Sequence, residues 1–406
     1  MSKKFNWASA TILSCIILIA ANLRAPITAV GPVVPEMIQQ LHLTPAMVGL
    51  ITATPLICFS LFSTFMPRFS NILGLEKLLL YSLLLLATGI LIRSAGNVFF
   101  LFAGSVLIGI SIAIGNVLMP AYIKKRFPDK TGLVTGVYLV AMNLTSALAV
   151  GYSINLGKIG NLGWQGSIGI WGIPVLFTFL CWLPLVKKNE SPQTQPDYKI
   201  IRAVWKSRLA WQISIFLGLQ SIIFYVFAAW LPTILQSWGM EAGKAGWLLS
   251  YVQMGQVPMM LIGPLLADKM KNQTTLIWIT FILLLAGLLM FLILKTEYVT
   301  VAAFLIGISV GLAFALATIF FILRTKTVEE SAALSGMAQS VGYFEAAIGP
   351  PLFGVLYSWT NSWNLSFIFL IIITISLLLS GLYAARNRYV LEEHNTLQKM
   401  TFKHRR

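Results

Sequence analysis

The chain of 406 residues is 57% hydrophobic and 10% charged, with 29 Lys and Arg against 13 Asp and Glu, a net charge of +16. A soluble domain carries about 25% charged residues, and apolar runs long enough to cross ~30 Å of hydrocarbon recur along the whole sequence; together these exclude a soluble fold. The alternating strands of an outer-membrane barrel are absent, and Cys15, Cys58 and Cys181 all lie in apolar segments, so no disulfide framework is implied.

Taken in order, the apolar runs predict an all-α polytopic membrane protein. Its spans run 8–35, 45–66, 77–94, 98–121, 131–154 and 164–186, then 209–234, 244–266, 274–294, 299–322, 332–357 and 363–385. MSKK precedes a first run far longer than a signal h-region and without an A-x-A-like site, so helix 1 is expected to be its own anchor. Pro26, Pro32 and Pro35 remove backbone bonds and should kink its outer half. Pro120, Pro174, Pro184, Pro232, Pro258 and Pro264 are candidate bends elsewhere.

The stretch 187–208, KKNESPQTQPDYKIIRAVWKSR, reads as a linker ending in an amphipathic surface helix. The expected organisation is a six-helix bundle over 1–186, the linker, a second bundle over 209–385 and a basic tail over 386–406. LIGIS recurs at 107–111 and 305–309, and Arg126 and Arg324 keep the same offset, as expected of a duplicated unit. Of the 29 Lys and Arg, 24 fall on the amino-terminal side of the spans. Only Arg93, Lys158, Lys244 and Lys295 fall opposite, and Arg24 lies mid-span. This asymmetry places both termini in the cytoplasm of a multi-pass plasma-membrane protein. The positive charge then needs no nucleic-acid partner; the lipid bilayer is the expected surface.

Two charges lie deep within spans, away from their ends. A guanidinium at the depth of Arg24 costs roughly 2.5–3.5 kcal/mol on insertion scales, so it calls for a wet cavity, an anionic ligand or a neighbouring helix to hold. Glu345, followed by Gly349-Pro350-Pro351, is the second. It is a candidate proton carrier, a partner for Arg24, or a group hydrogen-bonded within its own half.

The stretch 263–272, GPLLADKMKN, resembles the loop signature G-x-L-A-D-R-x-G-R-K of the major facilitator superfamily; the equivalent 66–77, MPRFSNILGLEK, keeps Arg68 and Lys77 but lacks the Asp. Read from the residues alone, Asp268 pairs with a nearby Lys or Arg or caps helix 9. The resemblance implies a gating role for Asp268, Lys269 and Arg68. More specifically, 22–35 (NLRAPITAVGPVVP), 115–120 (GNVLMP) with 123–128 (IKKRFP), 218–232 (GLQSIIFYVFAAWLP) and 337–354 (MAQSVGYFEAAIGPPLFG) are similar to the cyanate/2-nitroimidazole transporter family. That resemblance implies twelve transmembrane helices in two pseudo-symmetric six-helix bundles, with helices 1, 4, 7 and 10 around a central cavity. The expected substrate-binding residues are then Asn22, Arg24, Thr28, Asn116, Asn143, Gln220, Tyr225, Gln253, Gln339 and Tyr343, with Thr52, Thr54 and Gln256 beside them. Gln253 and Gln256 are read as a same-face pair.

The expected cargo is a small polar solute, anionic or of nitro type: cyanate-like, nitrate- or nitrite-like, or nitroimidazole-like. An apolar helix 10 and Phe224, Tyr225 and Trp230 on helix 7 would wall the site. Multidrug efflux by proton antiport is the alternative, although 135–151 lacks the proline expected of such antiporters. An enzyme is not expected: His42, His394 and His404 lie in loops or the tail, and no metal cluster, phosphate loop or nucleophile motif occurs. No cofactor or metal is implied.

Overall fold

The computed structural model describes residues 7–43, 45–186 and 198–392. The linker stretch 187–197 and the tail from 393, with His394 and His404, lie outside the described residues, as do Lys3 and Lys4. The helices in order are α1 (Trp7–Asn22), α2 (Ala25–Thr28), α3 (Val34–Leu41), α4 (Pro45–Phe62), α5 (Met66–Leu73), α6 (Leu75–Arg93), α7 (Val98–Arg126), α8 (Thr131–Lys158) and α9 (Gly163–Gly169). They continue as α10 (Gly172–Val186), α11 (Tyr198–Lys206), α12 (Arg208–Ser237), α13 (Ala242–Lys269), α14 (Thr274–Leu294), α15 (Val299–Leu323), α16 (Val328–Thr360) and α17 (Trp363–Ala384). Ten stretches among the described residues are long and apolar enough to cross a membrane. The two remaining long helices, α13 and α16, have 28 and 33 residues and are more polar, which completes the twelve spans.

The proline-rich first span is broken rather than bent. α1 stops at Asn22, Arg24 adopts φ −121° as the residue before α2, and Pro26 stands in the first turn of α2. Pro26 has no N–H to return to the carbonyl four residues back, which ends the first segment where the costly guanidinium sits. By contrast Pro120, Pro184, Pro232, Pro258 and Pro264 all lie inside uninterrupted helices. The sixth span breaks between α9 and α10, just before Pro174.

The chain divides into two compact units, 1–123 with 137–198, and 124–136 with 199–406. In the first, α10 packs on α6 and α1. The buried Asn22 donates its amide to Thr178 Oγ1 at 2.8 Å, tying α1 to α10. Val30, Val33, Met37, Ile51, Leu101, Trp164 and Ile168 form a second core around α3, α7 and α9.

In the second unit α12 packs along α16 and α17, and α13 along α15. The α13–α15 pair is close because Gly311 presents no side chain: a Cβ there would stand 2.6 Å from Gln256 Cα. In lipid, where apolar surface gains little from leaving a hydrocarbon solvent, such backbone approach is a main source of helix association. Buried Arg324, just past α15, donates to Ala384 O at 2.9 Å, Ala385 O at 2.8 Å and Gln273 Oε1, closing this unit's end. Burial lowers its pKa to about 10, so it remains a cation at neutral pH.

Candidate functional site: polar clusters inside the two units

In the first unit the helix break sets out the main cluster. Arg24, half-buried at the start of α2, donates from Nη1 to Asn143 Oδ1 on α8 at 2.7 Å. Asn143 in turn gives its Nδ2 to Leu139 O at 3.0 Å, which turns the amide oxygen toward the guanidinium. A neutral amide acceptor orients the Arg24 guanidinium, and a guanidinium is suited to holding an anionic or strongly dipolar group.

Thr28, one turn on, donates to Ser146 O at 3.3 Å and accepts from Ser146 Oγ at 3.2 Å. Ser153 Oγ then reaches Ala29 O at 2.8 Å. The broken first span and α8 are thus sewn together from Arg24 outward.

The other expected residues divide. Asn116 on α7 accepts from the buried Tyr138 hydroxyl at 3.3 Å, a link within the same unit. Asn22 is committed to α10 and is not brought together with Arg24. Thr54 bonds back to Leu50 O.

In the second unit, Gln220 and Ser221 are buried neighbours on α12, 2.6 Å apart, and Gln339 bonds Ser335 on α16 at 3.2 Å. Tyr343 is buried and Tyr225 half-buried, its ring edge-on to Phe224 at 5.1 Å. Trp230 is held by packing: its Nε1 donates to Pro350 O at 2.9 Å and its ring meets Phe353 and Trp363. The expected Gln253–Gln256 pair is corrected, because Gln253 is exposed while Gln256 is buried and turned to Val252 O. Ser309 and Thr318 on α15 both bond carbonyls of their own helix, leaving that helix apolar to its neighbours.

Glu345 lies against α12 where Gly218 leaves room for its carboxyl; a Cβ at Gly218 would collide with Glu345 Oε2. That oxygen is buried and accepts no hydrogen bond among the described residues.

The end of α13 carries a further cluster, and the expected partner of Asp268 is corrected. Its Oδ1 accepts from Thr131 Oγ1 at 2.9 Å and its Oδ2 from Gly132 N at 3.1 Å. The carboxylate therefore caps the start of α8, satisfying one orphan N–H and a hydroxyl at a positive helix end, rather than capping α14 or pairing with a neighbouring cation. Close by in sequence, Lys124 at the end of α7 donates to Ile322 O at 2.9 Å, to Thr325 Oγ1 at 2.8 Å and to Thr325 O. Lys269 and Arg68 are exposed.

The sequence reading missed Ser146, Tyr138 and Lys124. A repeat-guided reading had a signal for Lys124, which lies two residues before the duplicated Arg126. Ser146 and Tyr138 carried none. Among the described residues no group of three or more His, Cys, Asp and Glu is placed to hold a metal ion.

Residues 12–345 match the model of the Major Facilitator Superfamily. An uncharacterized transporter of Bacillus subtilis, YycB, is 37% identical over 94% of this chain and 95% of its own length. The 2-nitroimidazole transporter of Escherichia coli is 33% identical over 93% of this chain and 96% of its own length. The fold matches the proton:xylose symporter XylE with a TM-score of 0.77, covering 95% of this chain and 98% of that one at 12% identity. The chain belongs to the major facilitator superfamily, as a twelve-helix, two-bundle transporter related to the cyanate and 2-nitroimidazole carriers.

Proposed function

We propose that the chain carries a small anionic or nitro-type solute across the plasma membrane by alternating access, with Arg24 as the cationic anchor. The observation that carries this reading is the Arg24–Asn143 pair at the helix break, a guanidinium oriented by a neutral amide. The relationship to a 2-nitroimidazole transporter supports the solute class. Thr28, Asn116, Asn143, Gln220, Tyr225, Gln253, Gln339 and Tyr343 are the proposed orienting contacts. Asn22 contributes by fixing α1 to α10.

Glu345 is the proposed proton carrier, because its buried carboxylate oxygen is left without a hydrogen-bond partner among the described residues. Asp268 and Lys269, with Arg68, are the proposed gating residues on the cytoplasmic side, where both termini are assigned by the distribution of Lys and Arg.

The test is proteoliposome uptake of cyanate, nitrate, nitrite and 2-nitroimidazole, with and without an inward proton gradient, for the intact chain and Arg24→Ala. Saturable uptake of one of these, lost in a variant that still elutes as a folded monodisperse protein, supports the reading. Uptake indifferent to Arg24→Ala makes Arg24 a structural tether and overturns it.

A further inference from the structure

The hydrogen-bonded seam between the first span and α8 does not end at Ser153. Beyond it the two elements part around a cavity of about 530 Å³, lined by Pro32, Val33, Glu36, Gly157, Lys158, Asn161 and Gly163. All of these residues belong to the first unit. Pro32 and Glu36 continue the spacing of four that begins at Arg24 and Thr28. Glu36 lies twelve residues after Arg24 on a separate helix, α3, so the two groups belong to different segments of the broken first span.

The lining chemistry is specific. Glu36 uses one carboxylate oxygen, Oε1, to accept from Trp164 N at 3.2 Å and from Gln40 Nε2 at 3.2 Å. Gln40 is itself fixed by the Trp164 indole, which donates to Gln40 Oε1 at 2.9 Å. Trp164 is fully buried. The carboxylate is therefore rigidly placed, and its Oε2 takes no hydrogen bond among the described residues. Lys158, exposed at the end of α8, likewise makes no ion pair or hydrogen bond among the described residues. Asn161 brings an amide on a left-handed turn at φ 55°. Gly157 packs closely on Gly163, since a Cβ there would stand 2.9 Å from Gly163 O. The volume lies in the range of small-molecule pockets, ~300–1,000 Å³.

We propose that this cavity is a second, peripheral binding site for a small dipolar solute bearing nitro or carboxylate oxygens at one end and an N–H at the other. The oxygens face the Lys158 ammonium and the Asn161 amide, and the N–H donates to Glu36 Oε2. This inference rests on the transport reading above, for which it supplies a capture step before the solute meets Arg24. Charges of opposite sign in the lining, Glu36 and Lys158, favour a dipolar molecule over a simple inorganic anion, which would meet Glu36 as a repulsion.

Equilibrium binding of 2-nitroimidazole to the purified full chain, together with its uptake by proteoliposomes, tests this. Two equivalents are expected for the intact protein and one for either Lys158→Gln or Glu36→Gln. In those two variants the uptake KM should rise roughly fivefold, as for loss of one solvent-exposed charged contact, with kcat held within about twofold. Arg24→Ala should also leave one equivalent, but with uptake abolished.

A single equivalent that disappears only in Arg24→Ala overturns the peripheral site and leaves the anchor standing. A single equivalent that disappears only in Lys158→Gln overturns the anchor and leaves the cavity. No binding to the intact protein overturns both. Thermal unfolding of each variant alongside the intact chain separates lost binding from lost folding.

Discussion

The cap that Asp268 places on α8 makes the sharpest prediction, because both partners and their distances are known. In Asp268→Asn the remaining carbonyl oxygen can still accept from Thr131 Oγ1. The new amide group, however, presents hydrogen toward the Gly132 N–H that Oδ2 now receives at 3.1 Å. One accepted bond and the attraction of a negative charge to a helix N-terminus are lost together. Charge-assisted bonds and helix-end charges are each worth about 1–2 kcal/mol in sheltered sites. Asp268 is exposed, so solvent screening reduces the sum to about 1–2 kcal/mol, a factor of roughly 5–30 in the population of the uncapped state.

Gly132→Ala reaches the same end sterically, since its Cβ would stand 2.5 Å from Pro264 O and 2.6 Å from Asp268 Cβ, neither of which can yield cheaply. Hydrogen exchange at the first amides of α8 in the full-length protein reads the outcome. Both variants should exchange 5–30-fold faster there, with α17 unchanged as an internal reference. Unchanged exchange in both would refute the cap. Fast exchange in Gly132→Ala alone would show that packing, and not the carboxylate, holds α8 in place.

Other consequences follow from the same geometry. Asn143→Ala should weaken solute affinity more than it lowers stability, because it frees the Arg24 guanidinium from its orienting amide; equal losses of binding and thermal midpoint would contradict this. Glu345→Gln should abolish acceleration of uptake by an inward proton gradient while sparing solute exchange at equal pH, and a gradient response left intact removes Glu345 from coupling. Gly311→Ala should destabilise the α13–α15 pair by about 1–3 kcal/mol through overpacking against Gln256, seen as a lower thermal midpoint in detergent. The Lys326–Glu392 pair at 2.8 Å holds the Glu392 carboxyl below the usual range and raises the Lys326 ammonium. Its contribution is present above the ordinary Glu value and lost as pH falls through the depressed one. Acidification should therefore release the Val390 amide from Arg324 O, where it donates at 2.9 Å; Glu392→Gln should mimic this release at neutral pH, read by exchange at that amide.

The sequence by itself determined the class, the spans and the depth of Arg24 within the first of them. Apolar runs of membrane-crossing length leave the helix as the conformation that satisfies its own backbone in lipid, and so α14 and α15 begin at the residues expected from hydropathy. The placement of Pro26 beside Arg24 marked where the first span would open, although the outcome is a break and not a kink.

Only the tertiary structure decided what each polar side chain touches. Most of these helices are apolar all round, so periodicity does not say which face turns inward. Asn22 and Arg24 are two residues apart, yet one is used to bind α10 and the other meets α8. Gln253 and Gln256, written as one face, are divided between exposed and buried environments. Asp268 finds its partners 136 and 137 positions earlier. Local sequence cannot encode such choices, because they are set by the rotation and register of helices that meet only after the whole chain has packed.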